Sequence, residues 1–333
     1  MLGIDIGSYS IKAAVVKKSG KKATIEQVAS EVLPLEKRGG VADTNTLQMM
    51  IAKLIKRVGK GQNTVALSIP TSSAILKTID VDANLSEDLL EGEVQLELVN
   101  FVPFPLDQVY ADFIRLGRSK QNPDKEEIFV AASRRDIVDK VANSVAVKSI
   151  SHKEIDVEAF AVGQVLEQIK GRNYRDAYAI IDIGYRTSSV YVFQGGEMIF
   201  SREQQIGGHQ LTEAIAEACG FELEEAEKAK HNAIDGVPEV VIEGYLSAVS
   251  EQMAVAFEFF GSTNTAKVQA VYVTGGGSLV PGVVENLAEN LPDYQFELLP
   301  VGLDISIGRK TNGMSPAEVA GMSTVAAGLS MRK

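Results

Sequence analysis

Two short runs, nearly half a chain apart, carry the residue types that handle phosphate. Gly3 to Ile11 reads GIDIGSYSI, and the run beginning at Ile180 reads IIDIGYRTS. Each has an apolar stretch delivering an aspartate, one apolar residue, a glycine and then hydroxyl side chains. The first copy holds Asp5, Gly7, Ser8 and Ser10, and the second holds Asp182, Gly184, Thr187 and Ser188. A glycine at such a turn permits backbone geometry closed to other residues, so amides can point at phosphate oxygens. The hydroxyls add donors, and Lys12 is placed to reach outer phosphates as a point charge. Asp5 and Asp182 only accept hydrogen bonds, so their expected role is to hold waters on a magnesium ion that bridges phosphates.

A third run, VTGGGSLVPG, adds Gly275, Gly276 and Gly277. Three successive glycines let backbone approach a flat base or a ribose, and the helix expected after Pro281 presents its N-terminus. Taken alone, an Asp-x-Gly after a strand is often an ordinary turn, and a glycine-rich run is often a connection between strand and helix. Two copies at domain spacing, joined by the third run, point instead to two similar domains facing one another across a nucleotide cleft.

The elements that must position these residues follow from periodicity. Leu2–Ile6 and Ile11–Val16 read as strands, with a third after the polar run Lys17–Lys22. Leu47, Met50, Ile51, Leu54, Ile55 and Val58 follow helical spacing. Val65, Leu67 and Ile69 alternate as a strand would, and Pro70 stops it. Ser86 caps a helix to Phe101 whose Leu90, Val94, Leu98 and Phe101 share a face, before Pro103 and Pro105 end it. A strand near Val109–Leu116, the polar loop SKQNPDKEE, a strand Ile128–Ala132 and a helix Ile137–Val147 follow. After the second phosphate run come a strand, the Gly195-Gly196 turn and helices over Leu211–Cys219, Leu223–His231 and Glu239–Phe260. Val271–Val273 is a strand, and Ala317–Leu329 reads as one tightly packed closing helix.

Composition narrows the class. The 333 residues suffice for two or more cores, and 45% hydrophobic with 23% charged residues is ordinary for a globular protein. A net charge of −11 argues against nonspecific binding to nucleic acid or anionic membranes. One cysteine, Cys219, supports neither an internal disulfide nor a cysteine-rich zinc site. The opening MLGIDIGS has no basic segment followed by an apolar one, and no run approaches the ~20 apolar residues of a membrane span. The expected location is therefore cytoplasmic, with any membrane link made through a partner. No GxxxxGK[ST], GxSxG or HExxH run occurs, which removes the P-loop, hydrolase and zincin readings.

The order of two phosphate runs and a glycine triplet resembles the actin, chaperone and sugar-kinase superfamily. In that superfamily a connecting helix carries an acidic residue near the attacking water. KEIDVEAFAVG is similar, with Asp156 at the acidic position and Glu158 nearby, although an acid opening a helix is also favoured by the dipole alone. EEAEKAK resembles the helix that offers a glutamate and a lysine to ribose and base, which would be Glu227 and Lys230. Opposite charges at i, i+3 are equally the mark of a solvated face.

Within the superfamily the sequence resembles the PilM family of type IV pilus assembly, related to the cell-division protein FtsA. LGIDIGSYSIK, KTIDVDANLSEDLL, NFVPFPLDQVYADF, IDVEAFA, SREQQIGGHQLTEAI and AAGLSMR carry the resemblance, and FVPFPLD is the most specific. Gly7 departs from it, since the family often has a second serine there. The resemblance implies an α/β, actin-like two-domain ATPase fold of the FtsA type. Domain 1 would span 1–170 with an alternative subdomain inserted at about 74–147, and domain 2 would span 171–333 with a smaller subdomain at about 210–265. It implies ATP and Mg2+ as ligands, with hydrolysis slow or absent. It further implies an adaptor at the inner face of the inner membrane that grips the cytoplasmic tail of a PilN-type protein and links it to the pilus motor ATPase and platform protein. Apolar residues around the two prolines, Phe101, Phe104 and Leu106, are the expected wall for that tail, away from the nucleotide turns. The alternatives are a small-molecule kinase of the same superfamily and an FtsA-like cell-division ATPase.

Overall fold

Alternation of buried apolar residues builds the first sheet. The computed structural model describes residues 1–40, 42–119, 122–171, 174–231, 236–301 and 305–332. Strands β1 (Leu2–Ile6), β2 (Ser10–Ser19) and β3 (Lys22–Val32) form an antiparallel meander. Helix α1 (Thr44–Val58) buries all six residues picked out by its spacing, and Asp43 caps it by accepting from Thr46 N at 3.0 Å. Strand β4 (Thr64–Ile69) returns parallel to β1.

The chain then leaves this sheet. Residues Ile69–Asn143 form one compact unit, and Met1–Ser68 with Ser144–Lys333 form another. The smaller unit holds β5 (Ala74–Asp82), α2 (Glu87–Phe101), β6 (Val109–Arg118), β7 (Lys125–Arg134) and α3 (Arg135–Asn143), its sheet ordered β5-β7-β6. Leu90, Val94 and Leu98 of α2 pack on Ile79, Val81, Ile128 and Val130 in a core of their own. Ser86 accepts from Leu89 N and caps α2. Strand β5 has no counterpart in the sequence reading, and α3 stops four residues before the expected Val147. Lys120 and Gln121 of the polar loop lie outside the described residues.

In the larger unit, β8 (His152–Val157) completes the far edge of the first sheet and α4 (Glu158–Lys170) follows it directly. The second sheet then repeats the first. Strands β9 (Ala177–Ile183), β10 (Ser188–Gln194) and β11 (Glu197–Gln204) form the same meander. Helices α5 (Gly208–Cys219), α6 (Leu223–His231) and α7 (Glu239–Thr263) precede β12 (Val268–Thr274), which runs parallel to β9 as β4 does to β1. Helix α8 (Val283–Asn290) leads to β13 (Phe296–Leu298) at the edge. The orders β3-β2-β1-β4-β8 and β11-β10-β9-β12-β13 are one topology used twice. That duplicated α/β arrangement is the actin-like ATPase fold.

Strand β14 (Ile305–Lys310) adds to the free edge of β3, pairing the two far ends of the chain in a way that local pattern does not encode. The expected single closing helix is two, α9 (Pro316–Met322) and α10 (Thr324–Ser330). Ser323 lies at the break, its hydroxyl donating back to Val319 O, a local bond that competes with the helix. Helix α10 packs so closely on α4 that a Cβ at Gly328 would lie 1.9 Å from Ala161 O. Ser330 Oγ accepts from Val16 N and donates to Met1 O, both at 2.8 Å, pinning this helix under the first sheet.

Candidate functional site

The two phosphate turns have the same local construction. Gly7 N donates to Ser10 O at 3.2 Å, and Gly184 N donates to Thr187 O at 3.0 Å. Each turn joins the first two strands of its sheet, so Asp5 and Asp182 occupy equivalent places near the ends of β1 and β9. A Cβ on Gly184 would meet backbone, Thr187 O at 2.8 Å, whereas one on Gly7 would meet the movable end of Lys12 at 2.7 Å and Ser10 O at 3.0 Å.

The fold brings the two aspartates into one electrostatic cluster. Asp5 and Lys12 face each other across the β1–β2 ladder and form an ion pair at 3.0 Å, each side chain only 14% exposed. Burial and the nearby Asp5 charge raise the Asp182 carboxyl to about 6, with Lys12 pulling the other way. A third carboxylate belongs here. Burial, then Asp182 and Asp5, push Glu158 well above the ordinary carboxylate range, while Lys12 opposes them. Burial pulls the Lys12 ammonium down, but Asp5, and behind it Asp182 and Glu158, hold it above its usual value. Three carboxylates against one lysine leave an excess of negative charge that a divalent cation would neutralise. Among the described residues no group of three or more His, Cys, Asp or Glu side chains is close enough to ligate a metal directly.

Asp156 is not among the charges that act most strongly on this cluster. Strand β8 runs on to Val157, so Asp156 sits in a strand and does not open the helix. Its carboxylate forms an ion pair with Arg332 Nη1 at 2.6 Å and accepts a hydrogen bond from Val157 N at 2.8 Å. Burial raises it, against the pull of Arg332. Glu158 is the residue that opens α4, where a helix N-terminus favours a carboxylate.

The glycine triplet is three glycines with different reasons. Gly275 has φ +87° and lies so close to β9 that a Cβ would meet Asp182 Oδ1 at 2.3 Å. Gly277 packs on Ile183, whose Cγ2 would be 2.2 Å from its Cβ. Only Gly276 has open space, with nothing within 4 Å.

Glu227 and Lys230 are not on a solvated face. They form a buried ion pair at 2.8 Å, 7% and 5% exposed, and both bond Thr212 Oγ1. Lys230 also donates to Gly208 O at 3.0 Å, and Gly208 N donates to Gly184 O at 2.9 Å, tying α6 to the second phosphate turn. Burial lowers the Lys230 ammonium, with Glu227 opposing.

Ser10 and Ser188 divide in role. Ser188 Oγ donates to Ile206 O at 2.7 Å and is committed to the fold, whereas Ser10 Oγ is buried without a partner among the described residues. Ser8 is half-buried, and its carbonyl accepts from Gly39 N at 2.8 Å. Local pattern did not reveal an aromatic bridge between the turns. Tyr9 lies on Tyr185 with ring centroids 5.1 Å apart, Tyr185 on His209 at 4.8 Å, and Arg38 over Tyr9 at 5.1 Å. Burial and then Glu227 push the Tyr9 hydroxyl up to about 12. Arg38 also reaches Glu224 at 3.4 Å, a second link across the same mouth.

In the smaller unit, Phe101 and Leu106 pack partly on its core, and Lys77 Nζ lies 4.6 Å from the centre of the Phe101 ring. Phe104 is 38% exposed, with Arg134 against its ring at 5.5 Å.

Comparison with known proteins places this arrangement. Residues 3–333 match the family described as type IV pilus assembly protein PilM. The chain belongs to that family. It is thus a type IV pilus assembly protein of actin-like fold. A solved PilM-PilN type IV pilus biogenesis complex superposes with a TM-score of 0.82 at 23% identity, covering 99% of this chain and 97% of the other. The ethanolamine utilization protein EutJ of Carboxydothermus hydrogenoformans superposes with a TM-score of 0.56 at 14% identity, over 99% and 88% of the two chains. EutJ of Escherichia coli (strain K12) is 25% identical over 146 residues, 42% of this chain and 50% of that protein. EutJ of Salmonella typhimurium is 27% identical over 125 residues, 37% and 42% of the two. The chain spans about half the length of these curated relatives. Among the described residues no helix is long and apolar enough to cross a membrane.

Proposed function

We propose that this PilM-family chain is a nucleotide-dependent adaptor, binding Mg-ATP in its cleft and the cytoplasmic tail of a PilN-type inner-membrane protein elsewhere. The observation that carries the first part is the cluster in which Asp5 and Asp182, near the ends of two topologically equivalent strands, meet the charges of Lys12 and Glu158. Residues 1–170 and 171–333 would be the two nucleotide-gripping domains, with the inserted unit carried by the first.

Gly7, Ser8 and Ser10 on one side, with Gly184 and Thr187 on the other, would present amides and hydroxyls to the phosphates. The orphaned Ser10 hydroxyl supports this, since a buried donor without a partner is costly unless a ligand completes it. A bound magnesium ion would neutralise charge between the phosphates and the carboxylates. Asp5 and Asp182 would hold it through water. Lys12 would exchange part of its pairing with Asp5 for phosphate. Gly276 offers the free space for base or ribose, with Gly275 and Gly277 letting the backbone come close. Glu227 and Lys230 would shape the nucleoside side from their buried pair. Glu158 is the better placed group to orient an attacking water, and Asp156 is not.

The tail is assigned to the inserted unit. Phe104 is exposed beside two prolines that fix an extended segment, and α2 leaves Leu89, Leu96 and Val99 exposed on the side opposite its buried stripe. A solved relative is a complex with PilN, which supports a tail of that kind as the occupant. Through it the chain would sit at the inner face of the inner membrane, linked to the motor ATPase and platform protein.

Calorimetry with ATP, with and without Mg2+, tests the nucleotide half. Magnesium-dependent binding, with turnover slow and unmoved by a panel of sugars and acids, is the expected result. Turnover stimulated to ordinary kinase rates by one of those substrates would overturn it in favour of a small-molecule kinase.

A further inference from the structure

Helices α5 and α7 enclose an open groove of about 590 Å³ that takes no part in the nucleotide cluster. Its walls are built from small side chains at helical spacing. Ala214 and Ala218 come from α5, and Gly244 and Ala248 from α7. Side chains that end at Cβ leave a furrow between two helices where larger ones would fill it. Tyr245 and Ile206, both buried in the second domain's core, form an apolar floor. At the rim Val240 is 71% exposed, a large apolar side chain in water beside an apolar furrow.

Charge on the two helices says what would cover it. Neither α5 nor α7 contains a lysine or an arginine, and Glu251 lies one turn beyond Ala248 on α7. Glu217 lines the groove itself. An anionic lipid surface or an acidic peptide would meet repulsion from these carboxylates. A helix with one apolar face and lysines or arginines beside it meets both features at once, its apolar side chains in the furrow and its cations on the glutamates.

We infer that the α5–α7 groove docks a short basic amphipathic helix of a protein partner. The site shares no residue with the inserted unit or the phosphate turns, so it gives the adaptor a second protein contact.

The test uses the full chain and a synthetic probe of roughly 18 residues, long enough to form a helix, with leucines at helical spacing and lysines elsewhere. Fluorescence anisotropy measures binding, and hydrogen exchange locates it. The wild type should bind, with protection over Ala214–Ala218 and Gly244–Ala248. A matched leucine-glutamate peptide should not bind. Gly244→Phe should fill the furrow and weaken binding at least tenfold, because a Cβ there meets nothing within 4 Å and the fold is left intact. Ala218→Leu is the second filling variant should the first melt early, and Glu217→Lys should weaken binding while leaving the furrow open. Equal affinity for the wild type and a folded filling variant would mean a general attraction to an acidic chain, and would overturn the proposal. Absence of wild-type binding would also overturn it. So would a wild-type dimer that Gly244→Phe converts to monomer, since a second copy would then be the occupant.

Discussion

Asp182 should be held in the cleft at a cost to stability that its ligand relieves. Its carboxyl is raised from 3.8 to about 6 by burial and by the Asp5 charge. The folded protein therefore binds this proton more tightly than the unfolded chain. The resulting stabilisation is complete below about pH 4 and is lost as pH rises through about 6. A gap of roughly two pKa units, at ~1.4 kcal/mol each, amounts to ~3 kcal/mol by pH 8. Asp182→Asn keeps the shape and removes the charge, so the ligand-free variant should be more stable than the wild type at pH 8. With an unfolding entropy of roughly 2.1 cal/mol/K per residue, a chain of 333 residues has ~0.7 kcal/mol/K, and the gain is ~4 °C in Tm. The gain should shrink to nothing near pH 4. Added Mg-ATP should reverse the order, raising the wild-type Tm and barely moving the variant. Differential scanning fluorimetry across pH, with and without Mg-ATP, measures all of this. A variant that melts lower than wild type at pH 8, or whose gain is the same at pH 4, would refute the electrostatic reasoning.

Five further variants have definite outcomes, four around the nucleotide turns and one in the inserted unit. Glu158→Gln should lower any ATP turnover with little change in ATP affinity, whereas Asp156→Asn should leave turnover alone and cost only its pairing with Arg332, as steady-state phosphate release and melting would report. Gly275→Ala places a Cβ 2.3 Å from Asp182 Oδ1 at φ +87°, ψ 164°, so it should destabilise by about 1–3 kcal/mol from backbone strain alone and more from the clash. Gly276→Ala should instead melt like wild type yet weaken nucleotide binding. Leu90→Ala, at a fully buried position in the inserted unit, should cost about 2–5 kcal/mol in chemical denaturation.

Much of the site was legible because its signals are local. Asp-x-Gly with following hydroxyls is contained within seven residues, and both copies fold into the same turn. Helices α1 and α2 were equally plain, since their buried residues repeat at helical spacing and Ser86 marks the start of α2. Strand β5 was harder: it buries only Ile79 and Val81 of nine residues, so its alternation is short and its remainder is polar or half-exposed. Strand β8 was missed because it passes into α4 without a turn residue, so that Asp156 lies in the strand and Glu158 opens the helix. Three features had no local signature at all. The pairing of β14 with β3, the Tyr9–Tyr185 contact and the burial of the Glu227–Lys230 pair are all set by packing between distant segments. An i, i+3 ion pair looks the same in sequence whether water or Thr212 surrounds it.

The central claim, an adaptor that holds a membrane partner's tail, is tested most directly by titrating the full chain with the cytoplasmic tail peptide of the PilN-type protein from the same genome. Calorimetry on the wild type and on Phe104→Glu, with ATP affinity measured on both, gives the decisive comparison. The account predicts stoichiometric binding to the wild type, at least tenfold weaker binding to Phe104→Glu, and the same ATP affinity in each. Equal peptide affinity in a folded Phe104→Glu, or no binding to the wild type with or without Mg-ATP, would contradict it.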